Sequence, residues 1–451
     1  MAKKKQIELT IEEKLQNALV PKEEQPYKIP SNWCWTRWGN LSNNIQYGVN
    51  TPATSEGNAR LVRISDIQEN KIIWDKVPYC NIDDKLVEQY LIKENDILFA
   101  RTGGTVGKSV MAIDVISNAV FAGYLIRSNY SKKLNGKYLK YFMESELYWT
   151  QLKIGTTATA QPNCNGKTLG KMVFPLPPLN EQQRIVNRIE SLFAKLDRAK
   201  ELIENTLAQF EQNKMAILHK AFIGELTAKW RKENNIDLSS WEKIKLGKVL
   251  LPMQTKKPTG QFFRYIDIDA IDNKRQIVKA PKLILTEKAP SRASRGVETG
   301  NILFSMVRPY LKNIAQIDSD LSDCIASTGF YVCRCKPELN SRFLYYLFIF
   351  DKTIDYLMQF MKGDNSPSIR KDDLLNMKID LPTIEEQQEI VNILDNLLAK
   401  YNKIKNLEQQ LEKIELLKKA ILAKAFRGEL GTNNPDEESA ENLLKEILAE
   451  K

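Results

Sequence analysis

An internal repeat constrains the fold of this chain more than any other feature. Landmarks in the first half of the 451 residues recur in the second half at a separation of 204 to 208 residues. The tripeptide Ile97-Leu98-Phe99, for example, returns unchanged as Ile302-Leu303-Phe304. Repetition at a fixed distance predicts two domains of the same architecture, related by pseudo-two-fold symmetry. Further matched landmarks are Trp33 and Gly39 with Trp241 and Gly247, Ile64 and Ile67 with Ile268 and Ile271, Tyr124 and Arg127 with Tyr331 and Arg334, and Leu139 and Tyr141 with Leu344 and Tyr346.

The repeat is strongest in two polar segments. Each begins with Leu-Pro, Glu-Gln-Gln and Ile-Val-Asn, and each ends with Lys-Ala-Phe and Gly-Glu-Leu. Prolines precede each segment and a glycine follows it, with neither residue type between, which is typical of one long helix. About forty residues of helix, at about 1.5 Å per residue, make a rod of roughly 60 Å. The opening motif is Glu181, Gln182 and Gln183 in the first copy and Glu386, Gln387 and Gln388 in the second.

Apolar residues in both segments recur at alternating spacings of four and three, which predicts a coiled-coil seam. One narrow stripe needs one partner, and the other segment is its obvious complement. We therefore predict that the two helices pack together in antiparallel orientation, with a globular domain at each end. The alternative is that each helix dimerises with a second chain. The stripe comprises Ile185, Ile189, Leu192, Leu196, Ile203 and Phe210 in the first copy; in the second it comprises Ile390, Leu394, Leu397 and Ile404 and then, after a shift, Leu407, Leu411, Ile414, Leu417 and Ile421.

These signals divide the chain into six segments. Amphipathic patterns at 11–20 and 439–448 lead us to expect that the two chain ends complete one repeat together. A fraying helical end is the alternative for the tail. The predicted segments are an N-terminal helical segment at 1–24, a first domain at 25–178, a first long helix at 179–230, a second domain at 231–383, a second long helix at 384–430 and an acidic tail at 431–451.

Positive charge is concentrated in the two globular domains. The formal net charge of the chain is +10. The segments 181–230 and 386–430 each net +1 and the tail nets −4, so the remaining residues carry +12. An excess of this size predicts that the domains face a polyanion. Because no apolar run approaches the length of a membrane span and no signal peptide follows Lys5, we expect a cytoplasmic protein without a membrane partner.

The six cysteines are scattered over the chain, which favours reduced thiols over a disulfide framework. Only Cys333 and Cys335 lie close together. Their spacing of two would place both on one face of a strand. A zinc site is the alternative, but no histidine or second cysteine pair completes a ligand set. The sequence therefore predicts a strand here and no metal site.

Each globular domain mixes short strand-like runs with one late aromatic helix, which predicts an α+β fold. The two helices, near 137–152 and 341–361, carry aromatic and leucine residues at the spacing of a buried face. We expect these side chains to pack in the core, with base stacking as the alternative. They are Tyr138, Leu139, Tyr141 and Phe142 in the first domain and Phe343, Leu344 and Leu347 in the second.

Two loops of each domain carry the side-chain chemistry that contacts DNA. Asparagine and glutamine can bond adenine through two hydrogen bonds, arginine and lysine can reach guanine, and hydroxyls suit phosphate. The same loops could instead be polar turns without a ligand. The candidate DNA-binding residues are Arg101, Thr105, Lys108, Thr157, Gln161, Asn163 and Lys167 in the first domain and Arg308, Lys312, Asn313, Ser368, Arg370 and Lys371 in the second.

Candidate catalytic residues are scarce. The run Gly107-Lys108-Ser109 resembles the end of a phosphate-binding loop, but the preceding glycine stands one position too close for the motif. Nucleotide hydrolysis is therefore disfavoured against a basic loop near phosphates. The single histidine, His219, is expected to be a packing or surface residue, since no second histidine exists. We predict no catalytic residue in this chain.

The repeated Leu-Pro, Glu-Gln-Gln and Phe-x-Gly-Glu-Leu signature, combined with two basic domains in alternation with two long helices, resembles the specificity subunit of type I restriction-modification systems. The resemblance covers nearly the whole chain. It implies that each domain is a target recognition domain that reads one half of a bipartite, asymmetric DNA sequence. It also implies that the helices fix the gap between the half-sites and dock partner subunits, at the Glu-Gln-Gln motifs and along the apolar stripe.

The same resemblance implies the partners. They are double-stranded DNA, two adenine methyltransferase subunits that use S-adenosylmethionine, and restriction subunits that translocate DNA with ATP and Mg²⁺. The chain itself would bind no cofactor and would be non-catalytic. The family's base-reading residues vary, so none transfers to this sequence. The alternative function is a coiled-coil adaptor whose basic domains bind RNA or acidic proteins.

Overall fold

The computed structural model describes residues 9–68, 70–102, 106–156, 164–401 and 405–451. It contains two compact units, which we call the first and second units. The first unit is formed by Met1–Leu202 with Gln409–Lys451, and the second by Ile203–Glu408. Both divisions fall within the predicted long helices, so each unit contains a part of both. Each unit mixes helices and strands, and the predicted α+β fold is confirmed.

The described residues contain fourteen α-helices. The helices are α1 (Ile11–Ala18), α2 (Trp38–Leu41), α3 (Asp84–Tyr90), α4 (Gly136–Phe142), α5 (Glu146–Thr156), α6 (Gly166–Lys171), α7 (Leu179–Phe222), α8 (Ala228–Glu233), α9 (Ser341–Ile349), α10 (Asp351–Met358), α11 (Lys371–Leu375), α12 (Ile384–Tyr401), α13 (Lys405–Arg427) and α14 (Ala440–Ala449).

The strands of the first unit are β1 (Cys34–Arg37), β2 (Ser42–Tyr47), β3 (Ala59–Val62), β4 (Ile67–Gln68), β5 (Lys71–Ile72), β6 (Tyr79–Cys80), β7 (Ile97–Ala100), β8 (Ser109–Met111), β9 (Ala119–Phe121), β10 (Leu125–Tyr130) and β11 (Val173–Leu176). Those of the second unit are β12 (Glu242–Lys245), β13 (Leu250–Leu251), β14 (Phe262–Ile266), β15 (Ile271–Asp272), β16 (Ile277–Val278), β17 (Lys282–Leu285), β18 (Ala293–Gly296), β19 (Ile302–Ser305), β20 (Ile314–Gln316), β21 (Ile325–Ser327), β22 (Phe330–Cys335) and β23 (Lys378–Leu381).

The two units share one sheet topology. A four-stranded sheet has the order β2-β10-β7-β8 in the first unit and β13-β22-β19-β20 in the second. A second sheet, β6-β3-β9 or β17-β14-β21-β18, contains one parallel pair in each unit, β3 with β9 and β14 with β21. Strand β18 is additional in the second unit. The duplicated sequence therefore folds into a duplicated topology.

The strand register corrects one of the matched landmarks. Leu98 pairs with Arg127 in the first unit, whereas the equivalent Leu303 pairs with Val332. Arg127 therefore corresponds to Val332, and by the same count Tyr124 corresponds to Gly329. The predicted match of Tyr124 and Arg127 with Tyr331 and Arg334 is wrong by two residues. A shift of two preserves which side chains point inward, so the hydrophobic pattern could not detect it.

The aromatic helices pack in the cores, as predicted. Tyr138, Leu139 and Phe142 are fully buried in the first unit. Phe343, Leu344 and Leu347 are buried at the equivalent place in the second. The strand expected around the close cysteine pair is also present as β22, in which Cys333 is buried and Cys335 half-buried. His219 is half-buried and packs 6.0 Å from the Phe350 ring.

The first long helix, α7, is continuous over 44 residues. The second is described as α12 and α13, and residues 402–404, with the predicted seam residue Ile404, lie outside the described part. Within the first unit α7 and α13 are antiparallel, because Asp197 pairs with Lys418 while Lys200 pairs with Glu415. The antiparallel pairing within the chain is thereby confirmed.

The seam follows the predicted stripe with one exception. Ile185, Ile189, Ile390 and Leu394 are fully buried and Ile414 is 5 % exposed. Leu417 is 50 % exposed instead of buried, so its prediction is wrong. Lys418 lies in the seam in its place, with its ammonium 5.4 Å from the Phe193 ring centroid. The stripe advances by four residues after Ile414 where three were expected, since a straight helix drifts against a strict heptad. The remaining described positions Leu192, Leu196, Ile203, Phe210, Leu397, Leu407, Leu411 and Ile421 are half-buried.

The two chain ends pack together in the first unit. Leu15 and Ala18 of α1 share a core with Leu444 and Ile447 of α14. Lys445 forms an ion pair of 2.9 Å with Glu12. This is the arrangement expected from their amphipathic patterns. Among the described helices none combines the length and apolar character needed to cross a membrane.

Candidate nucleic-acid interface

The Glu-Gln-Gln motif attaches each long helix to its globule. The Gln182 amide oxygen accepts a hydrogen bond from Asn135 N at 3.0 Å, and its amide nitrogen donates to Pro177 O at 3.0 Å. Gln387 forms the same bonds with Asn340 N and Pro382 O, both at 2.8 Å. Both glutamine side chains are fully buried. One amide thus joins the helix, the preceding strand and the start of the aromatic helix, because Asn135 and Asn340 are the N-caps of α4 and α9.

The second glutamine of each motif extends this joint at the surface. Gln183 accepts from the Asn135 side chain at 2.7 Å and donates to Asn187 at 2.8 Å. Gln388 makes the equivalent pair of bonds with Asn340 and Asn392, both at 2.9 Å. These bonds recur in both units, and Gln387 additionally donates to Glu338 O at 3.0 Å.

The glutamate of each motif is fully buried and binds the segment that follows a long helix. Glu181 accepts from Thr432 Oγ1 at 2.6 Å and from Arg184 at 2.7 Å. Burial raises the pKa of the Glu181 carboxyl, although the bonds from Thr432 and Arg184 oppose the shift. Glu386 accepts from Thr227, Arg231 and Trp241 at 2.6, 2.5 and 2.9 Å. Glu181, Gln182, Glu386 and Gln387 thus face inward, so docking of partners at the motif stays a prediction that rests on its exposed positions, Gln183 and Gln388.

The two candidate DNA-binding loops of each unit lie side by side. Cys164 N donates to Arg101 O at 2.9 Å in the first unit, and Ile369 N donates to Met306 O at 3.0 Å in the second. Both bonds join the end of the central strand, β7 or β19, to the chain that enters α6 or α11. The sequence placed these loops far apart in each domain, and only the fold brings them to one end of the four-stranded sheet. We call this region of each unit the sheet-end surface.

The first-unit candidates differ in accessibility. Arg101 and Lys108 are half-buried and Lys167 is exposed on α6. The Arg101 guanidinium lies 4.9 Å from the Tyr47 ring centroid. Thr105, Thr157, Gln161 and Asn163 lie outside the described residues.

The run around Lys108 is a hairpin connection rather than a phosphate loop. It joins β7 to β8, whereas a phosphate loop leads into a helix. Gly107 has φ +80°, and a Cβ on it would lie 1.9 Å from Leu152 Cδ2. Its carbonyl accepts a hydrogen bond of 2.7 Å from the Tyr148 hydroxyl. The glycine is therefore explained by a left-handed backbone and close packing.

The second-unit candidates fall into two groups. Arg308, Arg370 and Lys371 are exposed and Ser368 is half-buried. The Arg308 guanidinium donates to Asn365 O at 2.8 Å and so connects the two loops. Asn313 is only 6 % exposed, and the Lys312 ammonium bonds Ile349 O and pairs with Asp351. The placement of Asn313 and Lys312 therefore argues against their predicted contact with DNA, because both side chains face into the unit.

The structure adds residues that the sequence reasoning missed. In the first unit Tyr47 is 39 % and Tyr124 is 65 % exposed, each beside a glycine at a strand end. A Cβ on Gly48 would lie 2.2 Å from Ala122 O, so the glycine allows the two segments to approach. In the sequence, an aromatic residue next to a glycine at the end of a strand-like run could have indicated both tyrosines.

Three exposed basic residues of the second unit were missed as well. Arg292 lies next to the Met306 loop, because Met306 N bonds Gly329 O and Thr328 N bonds Arg292 O, both at 2.9 Å. Lys256 N bonds Ser294 O at 3.0 Å, which brings Lys256 and Lys257 to the same surface. No ion pair joins Lys256, Lys257 or Arg292 to a described residue. In the sequence, basic residues among small polar residues of a loop could have indicated these three positions.

The two surfaces have complementary chemistry for a nucleic acid. The first presents tyrosine rings, half-buried Arg101 and Lys108 and exposed Lys167, and the second presents a larger number of exposed cations. Phosphates bind such cations, and base edges bind arginine. No group of three potential metal ligands occurs among the described residues. The fold and surfaces thus define a duplicated α+β protein with two candidate polyanion-binding surfaces.

Comparison with known proteins identifies the family. The family model of the type I restriction modification DNA specificity domain matches residues 54–209 and 241–416. The chain is 28 % identical over 308 residues to the Escherichia coli type I restriction enzyme EcoDI specificity subunit, covering 61 % of this chain and 68 % of that protein. It is 25 % identical to the EcoKI specificity subunit of Escherichia coli strain K12, covering 87 % and 88 %.

The same fold occurs in one chain of a solved structure that describes complex assembly and conformational transition of the type I R-M system. Its TM-score is 0.67 at 21 % identity, and the match covers 90 % of this chain and 100 % of that chain. The family model spans more than half of the present chain. The chain therefore belongs to the specificity subunits of type I restriction-modification systems, and its two units carry the DNA target recognition domains.

Proposed function

We propose that each unit reads one half of a bipartite, asymmetric DNA target through its sheet-end surface. The observation that carries this proposal is the duplication of the surface: both units place it at the same end of the four-stranded sheet, but with different side chains. Equivalent positions hold Arg101 and Met306, and Tyr124 and Gly329. A duplicated scaffold with different reading residues suits a target whose two halves differ.

The long helices set the distance between the half-sites in this proposal. Support comes from the uninterrupted α7 and from the matching joints at Gln182 and Gln387, which give both globules the same fixed attachment. A spacer must be stiff and firmly attached to act as a ruler.

The chain acts through partners and is non-catalytic by itself in this proposal. The partners are two adenine methyltransferase subunits that use S-adenosylmethionine, together with restriction subunits that use ATP and Mg²⁺. The methyltransferase would rotate an adenine of each half-site out of the duplex, which requires this chain to hold the DNA in register. The cofactors belong to those subunits.

Mapping of methylated adenines in the genome tests the bipartite target. The co-expressed methyltransferase complex should modify one bipartite motif, and exchange of residues 25–175 for another recognition domain should change only one half of it. Methylation without site preference would refute the proposal. In competition, duplex DNA should displace the bound target more effectively than RNA.

The ruler is tested by shortening. Deletion of four residues from each long helix removes about one turn, or roughly 6 Å, and should shorten the gap between the half-sites. The control replaces four exposed residues of α7 by alanine, which changes side chains but leaves the length of the helix unchanged. An unchanged gap in the shortened variant would contradict the ruler.

A further inference from the structure

We infer that Arg101 is a specificity-determining residue of the first unit and binds the major-groove edge of a guanine, with Tyr47 as its positioning residue. This inference rests on the proposed function, because it requires that the first unit reads a half-site. It goes further by assigning one side chain to one base.

The Arg101 guanidinium has no carboxylate partner within the described part of the protein. Among the described residues Arg101 forms no ion pair, and its Nε atom is buried without a hydrogen-bond partner. Other arginines of the same unit pair through their terminal nitrogens: Arg127 bonds Asp96 at 2.8 Å, although its Nε also lacks a partner, and Arg63 bonds Asp66 at 2.9 Å. A half-buried arginine without a carboxylate is costly unless a ligand completes it.

The orientation of the Arg101 side chain is restricted as well. The guanidinium carbon lies 4.9 Å from the Tyr47 ring centroid, and this cation–π contact restricts the side chain. Tyr47 is itself held, because its hydroxyl accepts a bond of 3.1 Å from Gly166 N. The Arg101 backbone is fixed by the bond from its N to Tyr124 O at 2.9 Å. An arginine that is oriented before binding loses less conformational entropy than a mobile one.

The position of Arg101 favours a base over a phosphate as its ligand. Phosphate contacts need charge but little orientation, and exposed lysines suit them. A planar guanidinium of fixed orientation suits the O6 and N7 acceptors of guanine, the commonest specific contact of arginine in the major groove. Exposed Tyr124 is the backbone neighbour of Arg101, because Arg101 N donates to Tyr124 O. The geometry of Arg101 therefore favours a base contact.

The second unit provides an internal control. Its equivalents of Arg101 and Tyr124 are Met306 and Gly329, as shown by the matching bonds from Ile369 N to Met306 O and from Met306 N to Gly329 O. A change at Arg101 should therefore alter one half-site only.

The test uses the complete chain with its methyltransferase partner. The wild-type motif is first determined from methylated adenines, and Arg101→Gln and Arg101→Lys are then compared with it. Both variants should lose about 10- to 100-fold of the discrimination at one guanine of one half-site, while the other half-site is unchanged. The lysine variant keeps the charge but not the fork, so its loss distinguishes base reading from phosphate binding. Tyr47→Leu should weaken discrimination at the same guanine, and Tyr47→Phe, which keeps the ring but loses the hydroxyl that accepts from Gly166 N, should weaken it less.

Binding with an altered base gives a second readout. Replacement of that guanine by 7-deazaguanine removes the N7 acceptor and should weaken binding of the wild type about tenfold or more, with no effect on Arg101→Gln. Uniformly reduced methylation of all sequences by both variants would overturn the inference, and so would full discrimination by Arg101→Lys. Either result leaves a bipartite wild-type motif intact, whereas absence of that motif would refute the proposed function itself.

Discussion

Glu181 and Glu386 occupy the same position in the two copies of the repeat, but their carboxylates bind different partners. Glu386 meets Arg231, whose side chain is 8 % exposed, whereas Glu181 meets Arg184, whose side chain is 36 % exposed. Removal of one member of a buried pair leaves the other charge uncompensated, and water can compensate an exposed one. The same residue therefore has unequal importance in the two units.

Glu386→Ala should lower the free energy of unfolding of the second unit by about 3 to 5 kcal/mol, because Arg231 is left buried and unpaired. Glu181→Ala should cost less. Urea denaturation monitored by fluorescence measures both. The control is Glu385→Ala at the exposed neighbouring position, which should change the stability by no more than about 0.5 kcal/mol. Equal losses for Glu386→Ala and Glu385→Ala would contradict the assigned role.

Glu437 makes the stability of the first unit depend on pH. Hydrogen bonds from Arg184 lower the pKa of the Glu437 carboxyl below its ordinary value of 4.5. Its ionised form therefore stabilises the fold above pH 4.5, and this contribution is lost as the pH falls through the lowered pKa. Glu437→Gln should be less stable than the wild type at pH 7, and the difference should shrink below pH 4.5. Urea midpoints of both proteins at pH 7, 5 and 4 test this, and a constant difference would argue against it.

At the scale of elements, the joint at the Glu-Gln-Gln motif explains why this motif repeats so strictly. The buried Gln182 uses both its oxygen and its nitrogen within the unit, whereas Gln183 reaches its partners at the surface. Gln182→Leu should destabilise the first unit by about 1 to 3 kcal/mol, because backbone groups of Asn135 and Pro177 lose their partner. Gln183→Leu is the matched control and should cost less. Thermal unfolding of the two variants measures the difference, and a larger loss at Gln183 would contradict the account.

The C-terminal helix α14 is part of the hydrophobic core of the first unit. Leu444, Ile447 and Ala440 are fully buried, and α14 packs against α1. Truncation after Leu430 should increase amide hydrogen exchange in the first unit, because burial of each large apolar side chain contributes about 1.5 to 3 kcal/mol. Exchange in the second unit should not change. Ala449→Lys, at an exposed position of α14, is the control. Unaltered protection of α1 in the truncated chain would disprove this role.

At the scale of the whole molecule, the two sheet-end surfaces differ in how they bind. The second unit offers more exposed basic residues than the first: Lys256, Lys257, Arg292, Arg308, Arg370 and Lys371 are exposed, whereas the first unit has exposed Lys167, half-buried Arg101 and Lys108, and tyrosine rings. Cations that neutralise phosphates release counterions, so they determine the salt dependence of binding. Most of the salt dependence should therefore come from the second unit.

Substitution of Lys256, Lys257 and Arg292 by alanine should reduce the slope of log K against log salt concentration by about 2 to 3, since each phosphate contact contributes about 0.9. The recognised sequence should stay the same. DNA binding by the assembled methyltransferase complex between 50 and 200 mM salt, roughly the range in which such effects are large, measures the slope. Lys229→Ala in α8 is the control for a lost surface charge. A triple variant with the wild-type slope would show that these residues do not contact phosphates.

The duplication, the α+β class, the core role of the aromatic helices and the seam of the long helices could all be predicted from the amino-acid sequence. These features follow from periodicity and repetition, which depend on the order of residues along the chain. The prediction failed at Leu417 and at the match of Arg127 with Arg334. In both, a local shift of one or two residues leaves the hydrophobic pattern nearly unchanged.

Which polar residues form the candidate interface depends on the folded arrangement of distant segments and could not be predicted from the sequence. Asn313 and Arg370 have the same kind of sequence signal, but the fold buries one and exposes the other. The sequence likewise could not place Tyr47 beside Arg101, because the pairing of β2, β10 and β7 joins segments far apart along the chain. The physical reason is that side-chain exposure and convergence depend on packing between distant segments, whereas helix and strand patterns depend on neighbours.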